Sequence, residues 1–233
     1  MKRVLFVALV LSFIGNICVA QKSTYTENRQ VNNFDKLYSC CGIDVYISEG
    51  SSNMIRIETT HQEFLQYLTT DVINGELKIS VKNNQHNKFK NLKTQVFISA
   101  SNLSSIKATS GANIYNSGSL NARDIYISAT SGATIRLDLK ADNIQCKATS
   151  GSEIVLKGSA RYAKMAANSA GNINMYEFQL KEADARASSG SDIKLRVSDK
   201  LDARASSGGS IKYKGEPKDV NRSSGSGGSV KRS

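Results

Sequence analysis

From residue 108 onward, apolar positions alternate with polar ones in short runs, and each run sits at the same offset from a recurring phrase. The phrase reads Ala108-Thr109-Ser110-Gly111, Ala129-Thr130-Ser131-Gly132, Ala148-Thr149-Ser150-Gly151, Ala167-Asn168-Ser169-Ala170, Ala187-Ser188-Ser189-Gly190 and Ala205-Ser206-Ser207-Gly208, with a last copy at Arg222-Ser223-Ser224-Gly225. Six residues after each leading Ala comes Ile114, Ile135, Ile154, Ile173, Ile193 or Ile211. A second apolar residue often follows two further on: Leu137, Leu156, Met175, Leu195 or Tyr213. Before the next Ala stand Ile125/Ile127, Ile144/Cys146, Ala163/Met165, Ala183/Ala185 and Leu201/Ala203. Alternation with period two predicts strands with one face inward, so each repeat contributes two inward columns. The interval of 17 to 21 residues is that of one β-solenoid coil and is too short for paired-helix repeats. Counting by twos from each Ala puts Ser110, Ser131, Ser150, Ser169, Ser189 and Ser207 on the inside beside the corner glycine. That predicts a structural serine ladder, with hydroxyls bonding to neighbouring coils.

The first half shows the same strand texture without the phrase. Cys41 to Ile47 alternates, Glu49 to Ser52 reads as a turn, and Met54 to Glu58 alternates again, which predicts a hairpin. Glu63 to Leu68 is the one helical turn expected, Asn74-Gly75 is a turn signal before Leu77 to Val81, and Asn83 to Asn91 is a polar, basic loop. Gln95 to Ser99 and Ser105 to Lys107 lead into the repeat with no Gly/Pro linker. The expected fold is therefore all-β: a β-solenoid, single-stranded and right-handed β-helix-like. A strand-rich N-terminal half over 34–107 and the repeat half over 108–233 should share one continuous sheet system. Residues 21–33 are polar and unpatterned and read as a flexible lead. Seven coils would make a rod roughly 30 Å long.

Lys2 and Arg3 precede the apolar run Val4 to Ile14, and Cys18-Val19-Ala20 leaves small residues for cleavage after Ala20. Residues 1–20 thus read as a signal peptide, the apolar run being far shorter than the roughly 20 residues of a membrane span. The expected location is exported: periplasm, outer surface or extracellular. Three cysteines remain beyond it, Cys40, Cys41 and Cys146, so they cannot all pair within the chain, and Cys146 falls in an inward column as a small buried hydrophobe.

The formal net charge of +11 favours anionic partners. For an exported protein these are acidic polysaccharide, lipopolysaccharide or acidic headgroups rather than nucleic acid. An outward row comprises Lys107, Lys147, Arg186, Arg204 and Arg222, interrupted by Ser128 and Ala166. With Lys212, Lys214, Lys218, Lys231 and Arg232 near the end, it forms a candidate polyanion-binding strip. A solvated charge column is the competing explanation, since strand proteins carry surface lysine for solubility and to blunt edges.

Catalysis on a β-helix needs clustered Asp for calcium or paired carboxylates on one face. The acids Asp124, Asp138, Asp142, Glu153, Glu177, Glu182, Asp184, Asp192, Asp199 and Asp202 seldom share a column. Asp184 and Asp202 do, alternating with Arg186 and Arg204 as a surface charge lattice. His61 and His86 are the only histidines, and no Cys/His spacing suggests zinc. No catalytic residue, metal or cofactor is expected. The function expected is a non-enzymatic adhesion or glycan/envelope-binding module of the cell envelope. Two alternatives stay open: a polysaccharide-active enzyme whose carboxylates are gathered by loops, and an assembly protein that pairs, as a homo-oligomer, through its short terminal coil Ser226 to Ser233.

Three stretches carry a family resemblance: Gly42-Ile43-Asp44-Val45-Tyr46-Ile47-Ser48-Glu49-Gly50, Asn74-Gly75-Glu76-Leu77-Lys78-Ile79-Ser80, and Leu103 to Gly111 ahead of the Ser/Gly-rich coils. Together they resemble the exported bacterial family called putative auto-transporter adhesin, head GIN domain. The resemblance implies a strand-only, β-helix-like fold and, through the family name alone, adhesion. It supplies no functional residues.

Overall fold

The recurring phrase folds as a corner. In the computed structural model, which describes residues 24–89 and 91–233, Ser110 and Gly111 have φ of 52° and 73°. Ser131/Gly132, Ser150/Gly151, Ser189/Gly190 and Ser207/Gly208 repeat that pair of left-handed residues. Two successive positive φ values mark a type I′ turn, closed where the Ala112 amide donates to the Thr109 carbonyl at 3.2 Å and the Gly209 amide to that of Ser206 at 2.8 Å. The expected signal peptide lies outside the described residues.

The strands in chain order are β1 (Tyr25–Gln30), β2 (Lys36–Ser39), β3 (Asp44–Glu49), β4 (Met54–Thr59), β5 (Leu68–Ile73), β6 (Glu76–Val81) and β7 (Thr94–Ala100). The coils follow as β8 (Ser105–Ala108), β9 (Asn113–Ser117), β10 (Leu120–Thr130), β11 (Thr134–Thr149), β12 (Glu153–Asn168), β13 (Asn172–Ala187) and β14 (Asp192–Ala205). The last are β15 (Ser210–Lys214), β16 (Asp219–Ser224) and β17 (Ser229–Arg232). All belong to one sheet system wound as a β-solenoid of about seven turns.

Two walls face each other across the core. The first runs β1-β4-β7-β3-β9, then the leading halves of β11 to β14, then β15 and β17. The second runs β5-β6-β2-β8-β10, then the trailing halves of β11 to β14, then β16. Each strand from β11 to β14 bends from the first wall into the second at a corner without a turn. There the buried positions change parity: Ile135, Leu137 and Leu139, then Ile144, Cys146 and Ala148. The predicted inward columns are all in the core, with Val45, Ile114, Ile135, Ile154, Ile173, Ile193 and Ile211 aligned rung by rung.

The serines stack, but not inward. Gly111, Gly132 and Gly151 donate their amides to the carbonyls of Ser131, Ser150 and Ser169, each at 3.1 Å, so the ladder is a backbone ladder. The side chains of Ser110, Ser131, Ser150, Ser169, Ser189 and Ser207 are exposed. Two left-handed residues reverse the chain, and the period-two count cannot be carried through the reversal. The first inward residue is the one after the glycine: Ala112, Ala133, Ser152 and Ser191 are buried there. The Ser152 hydroxyl donates to the Ala129 carbonyl at 2.7 Å, and that of Ser191 donates to the Ala167 carbonyl at 2.8 Å. Among the described residues from 108 onward, these two are the buried serines.

The N-terminal half is out of chain order. Ser39 lies beside Ala108, and Cys41 (φ 68°) with Gly42 (φ 70°) makes the same corner as Ser110 and Gly111. The repeat therefore begins at β2, not at residue 108. The hairpin expected between β3 and β4 does not form, because β7 lies between them, parallel to β3 and antiparallel to β4. Asn74-Gly75 does close a hairpin, β5 to β6, and Gln62–Phe64 is the expected helical turn, in 3-10 form. Lys82–Lys88 is also 3-10 where a loop was expected.

The expected flexible lead is also corrected. Tyr25–Gln30 pairs antiparallel with β4 and closes that end of the first wall. Arg29 fixes it, donating to the Leu68 carbonyl at 2.6 Å and the Leu65 carbonyl at 2.8 Å. A polar sequence suits such an edge strand, where half-exposed charges discourage further pairing.

Candidate functional site

The predicted basic row lies on the outer face of the second wall. Register aligns Lys107, Ser128, Lys147, Ala166, Arg186 and Arg204, but the next rung is Ser223, not Arg222. Arg222 pairs with Ala203 of the inward column and is exposed on the terminal coil. The last copy of the phrase lies two residues later than the sequence spacing suggests: Ser224 aligns with Ala205, and the corner is Ser226-Gly227. The rest of the row is largely neutralised. Lys107 bonds Glu76 at 2.9 Å, Arg186 bonds Asp184 at 3.2 Å and Arg204 bonds Asp202 at 2.9 Å. Asp184 and Asp202 stand in register, as their spacing predicts.

A second basic column, on the first wall, has no such pairing. Lys194, Lys212 and Lys231 occupy successive rungs, with Arg196 and Lys214 aligned in the neighbouring column. Among the described residues none of these five bonds an acid. Lys214 Nζ lies 4.4 Å from the centre of the Tyr176 ring, and Arg232, next to Lys231 in the chain, bonds Glu216 at 2.6 Å. Coils about 4.8 Å apart hold the three ammonium stems side by side, and like charges directly opposite are destabilising. The signal in the sequence was a lysine seven residues after the leading small residue. It becomes visible only once the last corner is placed at Ser226.

The same column changes character toward the other end. Phe97 stacks on Tyr46 at 5.2 Å and Tyr46 on Tyr115 at 5.4 Å, with the Arg56 guanidinium 4.0 Å above Phe97. These ring faces are spent on one another, so the aromatic ladder ties rungs together and leaves no open platform.

Among the described residues no three His, Cys, Asp or Glu side chains gather in a way that could hold a metal ion. His61 packs against Phe89 at 5.4 Å. Cys40, Cys41 and Cys146 are free thiols. Complete burial raises the Cys146 thiol far above its ordinary range, and burial aided by neighbouring Cys40 pushes Cys41 up to about 11. The Tyr38 phenol is pushed up to about 12, by burial first and by Cys40 next. Raised thiols are poor nucleophiles at neutral pH, so Cys41 and Cys146 pack rather than react.

The chain is a two-walled β-solenoid capped at its N-terminal end, with a basic column that bonds no acid among the described residues. Residues 33–217 match the family described as putative auto-transporter adhesin, head GIN domain, and the chain belongs to that family. Its fold is similar to that of a putative adhesin from Bacteroides fragilis, with a TM-score of 0.81 at 18% identity, covering 91% of this chain and 98% of that one. A putative adhesin from Parabacteroides merdae is similar with a TM-score of 0.70 at 18% identity, covering 90% and 96%. A putative lipid binding protein from Parabacteroides distasonis is similar with a TM-score of 0.65 at 18% identity, over the same shares. No curated protein matches the chain. Among the described residues no helix is long and apolar enough to cross a membrane.

Proposed function

We propose that the protein is an exported, non-enzymatic adhesion module of the cell envelope that binds anionic polymer along the lysine column of its first wall. The observation that carries this reading is the alignment of Lys194, Lys212 and Lys231 on adjacent rungs without acidic partners. A regularly charged polyanion laid along the solenoid axis would relieve their mutual repulsion, while a rigid sheet holds the spacing before the ligand arrives. The row on the second wall lacks this property, because Asp184 and Asp202 already satisfy Arg186 and Arg204. Membership in the adhesin family and the signal-peptide pattern support export.

Retention of residues 21–233 on acidic and neutral polysaccharides, at low and high salt, tests the reading. Retention on acidic polymers that fades with salt, and that is lost on replacing Lys194, Lys212 and Lys231 by Ser, is the expected result. Equal retention of that variant and the parent would contradict it.

A further inference from the structure

The outer face of the second wall carries an open depression of about 410 Å³, away from the lysine column. Two neighbouring columns line it over three successive coils. Asp124, Asn143 and Tyr162 form one; Tyr126, Gln145 and Lys164 form the other. The two phenol rings thus stand at diagonal corners of a patch two columns wide, with carboxamides between them.

The polar groups divide into held and free. Asn143 Nδ2 donates to Asp124 Oδ1 at 2.7 Å, and Asn143 Oδ1 accepts from Arg161 at 2.6 Å, so this amide and carboxylate are fixed before any ligand binds. Gln145 and the phenol oxygens of Tyr126 and Tyr162 have no hydrogen-bond partner among the described residues. Neither ring packs on another aromatic residue, in contrast to the Phe97–Tyr46–Tyr115 ladder. Both tyrosines are half-buried and line the depression. The two charged residues that line it, Asp124 and Lys164, are opposite in sign, and Arg123 bonds Asp124 at 3.2 Å.

We propose that this depression is a subsite for a neutral, β-linked glycan chain lying along the solenoid axis. A pyranose offers an apolar face for an aromatic ring and a rim of hydroxyls for fixed amides and carboxylates, and this lining supplies both. The coil spacing of about 4.8 Å is close to the advance of one sugar in an extended β-linked chain, so successive sugars meet successive rungs. Balanced local charge selects an uncharged chain and separates this subsite from the lysine column in both place and ligand class.

The test is titration of the protein with neutral β-linked tetrasaccharides, cellotetraose among them. The readouts are tyrosine fluorescence, in a chain with 9 Tyr and no Trp, and saturation-transfer NMR. Saturable binding that does not change with salt is expected, weakened about tenfold or more by Tyr126→Ala or Tyr162→Ala and retained by Tyr162→Phe. Gln145 is exposed, so Gln145→Ala leaves the fold intact and is expected to weaken binding as well. If no member of the panel saturates the protein, or if Tyr126→Ala and Gln145→Ala bind as the parent does, the subsite is refuted. Loss on replacing Lys212 rather than Tyr126 would assign the binding to the other wall and also refute it.

Discussion

Lys194 and Lys212 stand side by side on adjacent rungs of the first wall, and among the described residues neither has an acidic partner. One coil pair away on the opposite wall, Arg186 and Arg204 are just as close in register, but each bonds an aspartate two residues earlier in its own strand. The same spacing of cations therefore produces two different surfaces, one neutralised and one left charged.

The first prediction concerns that neutralised row. Exposed pairs of this kind contribute about 0–1 kcal/mol each. Replacing Arg186 and Arg204 together by Ser is expected to change thermal stability by no more than this and to leave polyanion affinity within about twofold. Fluorimetric melting and polymer titration of the double variant measure both.

Ala170 occupies the second left-handed position of its corner at φ 60°, where the other phrases carry glycine. A Cβ at the equivalent Gly151 or Gly190 meets nothing within 4 Å, so no packing is lost by removing one. Relief of left-handed strain then outweighs the added freedom of the unfolded chain. Ala170→Gly should stabilise the protein by up to about 1 kcal/mol, read from the denaturant midpoint.

Phe178 is fully buried and aligned with Gly158. A cavity of that size costs about 3–5 kcal/mol, the loss expected for Phe178→Ala. Gly158 has the opposite problem: a Cβ there would lie 2.0 Å from the Leu139 carbonyl oxygen. Gly158→Ala is expected to be destabilising although it only adds a methyl group, and equilibrium urea unfolding of both variants decides.

Cys41 replaces the serine of the other corners, and its thiol is pushed up to about 11 from an ordinary 9.0. A folded value above the unfolded one means the proton is held more tightly in the native state. The associated stability is complete below the ordinary thiol range and is lost as pH rises through about 11. Cys41→Ser should flatten the decline in stability between pH 9 and pH 11 while keeping the corner, as measured by unfolding curves across that range. Iodoacetamide should modify the native parent slowly at neutral pH, and Cys146 only after unfolding.

The regular coils were readable because period two and the fixed offset of Ile135, Ile154 and Ile173 from the phrase survive between corners. Inside the corner that rule breaks. Two left-handed residues turned Ser131 outward and put Ser152 in the core, a result no count by twos can reach. The coil of β2 and β3 was hidden because Cys41 stands in place of serine, and because the cap strands β4 to β7 intervene in the chain before its neighbour β8. The placement of β7 between β3 and β4 depends on closing an exposed end of the stack, a tertiary demand with no local signature. Lys212, Lys214 and Lys231 are legible as a basic cluster but not as a column with Lys194, because Lys231 aligns with Lys212 only when Ser224, not Arg222, is matched to Ala205.

Paired determination of stability and polyanion affinity for Lys212→Ser tests the central claim most directly. Removing the middle charge of an unpaired column should raise the melting temperature of the free protein at low salt and, in the same variant, weaken binding to an acidic polysaccharide. A variant that melts lower and binds as tightly as the parent would show that the column is neither strained by its own charge nor used to hold an anionic polymer.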